Sequence, residues 1–99
     1  MYRITYSSSV ADDLKSLGAR ERSHILDEID IQLTHEPVQE TRNRKILVGL
    51  APRWEHVPPV WELRIGDYRV FYDIDKKAKV VVVRAIRPKP PHKTTEEIL

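Results

Sequence analysis

Arg64 and Arg69 are the two side chains whose type and spacing point most directly to chemistry. They sit in WELRIGDYRVFYDI, residues 61–74, where Trp61, Leu63 and Ile65 alternate with Glu62 and Arg64. After Gly66-Asp67, Tyr68, Val70, Tyr72 and Ile74 alternate with Arg69, Phe71 and Asp73. Two period-two runs split by a Gly-x pair predict a β-hairpin, with Gly66 at the position of a type II′ turn that needs positive φ. That turn sets Ile65 against Tyr68, Arg64 against Arg69, Leu63 against Val70, Glu62 against Phe71 and Trp61 against Tyr72. Paired residues share a face, so one face is apolar and the other sets two guanidiniums side by side. Like charges directly opposite cost roughly 0.2–1 kcal/mol relative to a neutral pair. One explanation is an anion held between them, most simply a phosphate. The other is that Glu62 or Asp73 neutralises them diagonally on a solvated face.

The elements around the hairpin decide which other cations join that face. After the polar turn at residues 75–78 comes KVVVVRAIR, residues 79–87. Its four consecutive valines predict a strand that is central or buried on both faces. An even-numbered loop puts Arg84 opposite Arg69. A slip of one residue gives that face to Arg87 and Ala85 instead, because every side chain changes sides. Residues 36–59 lack clear periodicity and are too long for an ordinary loop, with KILV at residues 45–48 as a short strand or packed turn. Arg42, Arg44, Lys45 and Arg53 make this segment basic, and such segments often carry contacts.

Upstream, Tyr2, Ile4 and Tyr6 alternate with Arg3 and Thr5 in a short strand. Ser9 followed by Asp12 resembles a capping box, and Val10, Leu14 and Leu17 define a helix over residues 9–17. A second helix covers residues 19–35, with Ile25, Ile29 and Leu33 on one face. Gly18 between them makes an αα-hairpin, and Pro37 ends the second helix. His24 and His35 lie too far apart for a metal motif, and His35 suits a helix C-terminus. Pro88, Pro90 and Pro91 close the last strand, and TTEE at residues 94–97 starts at most a terminal helical turn.

Ninety-nine residues make one domain, residues 1–99, with one core. The absence of cysteine excludes a disulfide frame and thiolate metal sites, and no cofactor or metal is expected. No signal-peptide pattern or membrane-length apolar run is seen, so the expected location is the cytoplasm. Net charge is +2, unevenly placed. Residues 1–41 carry four basic and eight acidic side chains, whereas residues 42–93 carry thirteen basic and five acidic. The basic excess lies with the hairpin and points to a polyanionic partner. The element order predicts an α+β fold, in which an N-terminal strand and two-helix hairpin pack on an antiparallel sheet with a C-terminal three-strand meander.

WELRIGDYRVFYDI followed by KVVVVRAIR resembles the RelE/ParE superfamily of bacterial toxins, over about residues 2–92. The pattern Leu-Arg-x-Gly-x-Tyr-Arg-Val-x-Tyr carries the resemblance. It implies a RelE-like fold and a toxin paired with a cognate antitoxin protein in a type II toxin–antitoxin module. RelE-like members are mRNA endonucleases, most acting in the ribosomal A site; ParE-like members inhibit DNA gyrase and cleave no RNA. The endonuclease reading, with mRNA and the ribosome as partners, stands ahead of the gyrase reading and of a non-catalytic RNA- or protein-binding domain.

The resemblance also assigns residues. Arg64, Arg69 and Arg87 match basic positions on the three meander strands. Glu62 stands where RelE itself has a lysine, and no tyrosine follows Tyr72. Cleavage by 2′-hydroxyl attack needs a base, charge stabilisation at phosphate and an acid for the leaving oxygen. Arginines are always protonated and serve the phosphate. Glu62 is then the candidate base, or alternatively a screening partner of the arginines. His92 is the candidate acid, because an unperturbed imidazole has a pKa near neutrality, or else an exposed tail residue; His56 is an alternate. Arg42, Arg44, Lys45, Arg53, Arg84 and Lys89 complete the expected RNA-binding set.

Overall fold

The computed structural model describes residues 1–99. The hairpin forms as β3, Trp61–Ile65, and β4, Tyr68–Asp75. Gly66 has φ +55°, and Asp67 is not among the positive-φ residues, so only the first central position of the turn is left-handed. That is the type II′ arrangement, whose twist matches the flanking strands. All five predicted cross-strand pairs are present, Arg64 opposite Arg69 among them.

The remaining elements are β1 (Arg3–Tyr6), α1 (Val10–Lys15), α2 (Ala19–Leu33), β2 (Arg44–Ile46), β5 (Val80–Pro88) and α3 (Thr95–Ile98). The five strands form one sheet in the order β1-β5-β4-β3-β2. Pairing of β2 with β3, β3 with β4 and β4 with β5 is antiparallel. β1 runs parallel to β5, so the sheet is mixed where the sequence predicts an antiparallel one. The αα-hairpin follows β1 directly, and β1 is paired by the strand that arrives last. Parallel neighbours need such long connections.

One face of the sheet carries the main core. Trp61, Leu63, Ile65, Val70, Tyr72, Val81, Val83 and Ile86 pack against Val10, Leu17, Ile25, Ile29 and Leu33. Both helices are shorter than predicted. Ser9 precedes α1 but its side chain caps no N–H, because its backbone is already helical at φ −67° and ψ −21°, whereas a capping residue is normally extended. Its hydroxyl turns to the Arg84 carbonyl at 3.4 Å. The capping box of this chain lies in the tail, where Thr94 and Glu97 each bond the other's backbone.

The opposite face is half covered. Phe71 and Ala85 are packed beneath Val60 and Ile98, with Leu47, Trp54 and Leu99 alongside. The aperiodic middle segment thus serves as a cover, joined by the C-terminal turn. The end of the face nearest the hairpin turn stays open, and that is where Arg64 lies.

A β-bulge fixes which cation extends the arginine row. Phe71 pairs with Ala85, but Tyr72 pairs with Val83, so Arg84 is the extra residue. Beyond the bulge Arg69 faces Arg87. The alternative that aligns Arg84 with Arg69 is therefore excluded. β5 is central, as its valines predict, but only Val81 and Val83 are fully buried; Val80 and Val82 are half-buried.

Candidate functional site

The open end of the back face forms a cleft of about 280 Å³, lined by Arg42, Asn43, Lys45, Glu62, Arg64, Arg69, Lys89 and Thr95. No apolar side chain lines it, and five cationic residues surround one carboxylate. Ligand sites for small organic molecules are mostly apolar. This one has the chemistry of an anion site.

Each wall has a local cause. The II′ turn brings Arg64 and Arg69 together. Arg64 is exposed, while Arg69 is only 8% exposed. The Arg69 Nη1 donates to the carbonyls of Gly66 at 2.9 Å and Tyr68 at 2.8 Å. These carbonyl dipoles explain how two opposed guanidiniums are tolerated. Burial, more than anything else, pulls the Arg69 pKa below its ordinary value; Glu62 opposes this, Arg64 adds to it and Asp67 opposes it. An arginine still remains charged near neutrality.

Glu62, two residues before Arg64, is 4% exposed. Its Oε1 lies 3.4 Å from the Lys45 Nζ, which the antiparallel partner strand sets directly opposite it. Its Oε2 accepts a hydrogen bond from the Thr95 hydroxyl at 2.8 Å. A carboxylate has about four acceptor sites, so two contacts leave room for a substrate proton. Lys89 reaches the cleft because its main-chain N–H is fixed on the Asp67 carbonyl at 2.7 Å.

The other expected site residues fall elsewhere. Arg87 stands opposite Arg69 but does not line the cleft; its Nη1 is 2.5 Å from Asp13 Oδ1. Arg84 is paired with Asp73 at 2.8 Å and Glu55 at 3.3 Å. Arg44 is buried, donating to the carbonyls of Gln32 at 2.6 Å and Gln39 at 3.2 Å, with Glu36 at 3.7 Å. It pairs with Leu63 and so faces the helices, as a tie between β2 and the end of α2. Arg53 is exposed in a separate polar recess beside Glu96 and Glu97. His92 is exposed and outside the cleft. The His56 Nδ1 donates to the Trp54 carbonyl at 2.8 Å.

Asn43 and Thr95 are cleft residues that no sequence pattern marks. Thr94 to Glu97 has visible capping spacing, but nothing local announces a contact between Thr95 and a strand 33 positions away.

The family model for the ParE toxin of the type II toxin–antitoxin system, parDE, matches residues 4–89. No curated protein matches the chain. Among solved structures, RelE in the archaeal RelE–RelB complex of Pyrococcus horikoshii OT3 is 28% identical, with 91% of this chain and 97% of that one covered at a TM-score of 0.68. The toxin–antitoxin complex RelBE2 of Mycobacterium tuberculosis gives 22% identity, 89% and 98% coverage and a TM-score of 0.69. Isolated E. coli RelE gives 15% identity, 98% and 94% coverage and a TM-score of 0.67. The last two likenesses carry the fold alone. The family match covers α1, α2, the middle segment and the whole arginine hairpin. The chain belongs to the ParE toxin family of type II toxin–antitoxin systems, within the RelE/ParE superfamily.

Proposed function

We propose that this toxin is an endoribonuclease that cuts mRNA, on the ribosome, and so arrests translation. The observation that carries the proposal is Glu62, a carboxylate set among five cations in an open polar cleft. On a surface that only attracts a polyanion, a central carboxylate would screen the arginines but weaken the pull on the partner. A phosphodiester-cleaving site needs one as proton acceptor.

In this mechanism Arg64 and Arg69 hold the scissile phosphate and stabilise the charge that builds on its oxygens. Glu62 takes the proton of the 2′-hydroxyl. The 2′ oxygen attacks phosphorus, the bond to the 5′ oxygen breaks, and the products are a 2′,3′-cyclic phosphate and a 5′-hydroxyl. His92 stands outside the cleft, so the proton for the leaving oxygen falls to the ammonium groups lining it, Lys45 and Lys89. Arg42 and Asn43 line the same cleft. Arg44 and Arg84, engaged in the interior contacts described above, are left out of this surface, and Arg53 lies in the separate recess beside Glu96 and Glu97.

One observation favours a second reading. The matching family model is that of ParE toxins, and a gyrase inhibitor needs no acid–base pair. The test is induction of the toxin without antitoxin, followed by primer extension on cellular mRNA and recovery of DNA-bound gyrase. New mRNA ends, lost in Glu62→Gln and in Arg64→Ala, support the endonuclease. Intact mRNA with trapped gyrase–DNA complexes overturns it in favour of gyrase inhibition.

A further inference from the structure

The chain does not end at its last strand. It doubles back over the open face, and its course is fixed at both ends. At the start, the Lys89 N–H bonds the Asp67 carbonyl at 2.7 Å. A turn follows, closed by Lys93 N–H on the Pro90 carbonyl at 3.0 Å. Thr94 then opens α3: its N–H donates to Glu97 Oε1 at 2.9 Å, and its hydroxyl accepts from the Glu97 N–H at 3.4 Å. At the far end Ile98 is buried with Val60, Phe71 and Ala85. A four-residue helix has little stability of its own. The cap on one side and the buried isoleucine on the other hold it in place. Between them stands Thr95, whose hydroxyl donates to Glu62 Oε2 at 2.8 Å.

We infer that Thr95 is a positioning residue for the reaction, and that the C-terminal turn is the third wall of the site, holding the Glu62 carboxylate in its working orientation. The inference rests on the endonuclease reading. Glu62 comes from β3, and its partner Lys45 is on the neighbouring edge strand with an exposed side chain. A lysine is a mobile point charge with no directional fork. It neutralises Glu62 without fixing which oxygen faces the substrate. Thr95 supplies that second restraint from a rigidly anchored backbone. With Oε2 tied by Thr95 and Oε1 beside Lys45, the carboxylate plane is set while acceptor sites remain free. Misplacement of a base by about 1 Å is enough to cost up to about a hundredfold in rate.

The test compares Thr95→Val, which keeps the shape and loses the hydroxyl, with Thr95→Ser, which keeps the hydroxyl. With mRNA on programmed ribosomes as substrate, Thr95→Val is expected to lower kcat about tenfold with KM unchanged, and Thr95→Ser to recover most of the loss. The carboxyl carbon NMR signal of Glu62 should move in Thr95→Val and stay in place in Thr95→Ser, with both variants melting like the parent. Equal losses in the two variants, or a Thr95→Val protein with parental kcat and an unmoved Glu62 signal, overturn the inference. A parent protein that leaves ribosome-bound mRNA intact sinks the endonuclease reading instead. The Glu62 signal then decides the tether alone, and an unmoved signal removes it too.

Discussion

The Asp13 carboxylate holds Arg87 at 2.5 Å while its other oxygen accepts the Ile86 main-chain N–H at 3.0 Å. α1 thereby caps the stretch of β5 that β1, ending at Tyr6, no longer covers. The same contact draws the third arginine of the row sideways. Arg87 pairs with Arg69 in register and yet is absent from the cleft.

Asp13→Asn tests what that restraint does. Asparagine still accepts from the Ile86 N–H but loses the charge on Arg87. Stability should fall by about 1.5–3 kcal/mol, the usual range for a hydrogen bond to a charged group, measured by urea unfolding. RNA affinity, read by fluorescence anisotropy, should rise several-fold as Arg87 becomes free to join Arg64 and Arg69. Unchanged affinity would show that Arg87 serves only to fasten α1.

Arg64 and Arg69 should separate in stability while agreeing in function. Arg64 is exposed and makes no side-chain hydrogen bond or ion pair within the chain. Arg64→Ala is therefore expected to melt at the parental temperature or slightly above it, since like-charge repulsion is relieved. Arg69→Ala removes a buried guanidinium from two carbonyls and should cost about 1–3 kcal/mol. Both should abolish toxicity in a growth assay. Arg69→Lys should restore little, because one ammonium does not reproduce the planar fork. A toxic Arg64→Ala variant would remove the phosphate role.

Much of this site was legible because two short-range rules act on it. The glycine turn and the period-two alternation placed Arg64 against Arg69 and Glu62 on the same face, with no help from distant parts of the chain. Arg84 and Arg87 show where such rules stop. The bulge that skips Arg84 is marked by no glycine or proline, and the skipped Arg84 is paired with Asp73 of the neighbouring strand. Asp13, Thr95 and Arg44 belong to the same class. The partners of Asp13 and Thr95 are far away in sequence and those of Arg44 lie on the end of the preceding helix and the turn after it, and each residue reads locally as an ordinary polar one. The parallel docking of β1 is likewise invisible in its own four residues.

Two phenols with raised pKa values, Tyr72 fully buried and Tyr6 partly covered, give the fold an alkaline limit. The Tyr72 hydroxyl donates to the Pro37 carbonyl at 2.8 Å, and burial pushes its pKa up, Arg44 opposing slightly. Burial, with Asp30, also pushes Tyr6 up to about 12. A phenol whose pKa rises on folding stabilises fully below its unfolded value, near 10. That contribution is lost as pH rises from there through the folded value. Urea unfolding should thus give a midpoint that falls between about pH 10 and 12. Tyr72→Phe should start less stable at pH 7, having lost its bond to Pro37, but decline less steeply above pH 10. Parallel curves for the two proteins would mean that Tyr72 does not govern the alkaline transition.

The matching family is that of toxins from type II toxin–antitoxin systems, and the charge map of this chain indicates where a silencing partner would bind. Residues 1–41, which contain α1 and α2, carry eight acidic against four basic side chains. An acidic segment is repelled there. The cleft offers Arg42, Lys45, Arg64, Arg69 and Lys89 around a single carboxylate, and a segment lying on it would also block the proposed chemistry. The cognate antitoxin is therefore expected to present an acidic, amphipathic segment, at least part of which covers or borders Arg64 and Arg69. Exposed charges are screened beyond roughly 8–10 Å at physiological ionic strength, so the association rate should drop steeply as salt is added. Stopped-flow mixing over a salt series measures this, and Arg64→Ala together with Lys45→Ala should flatten the dependence. Hydrogen exchange should show protection in β3 and in the turn at Gly66. A rate indifferent to salt, with protection confined to residues 9–35, would place the antitoxin on the helices and leave the cleft open in the complex.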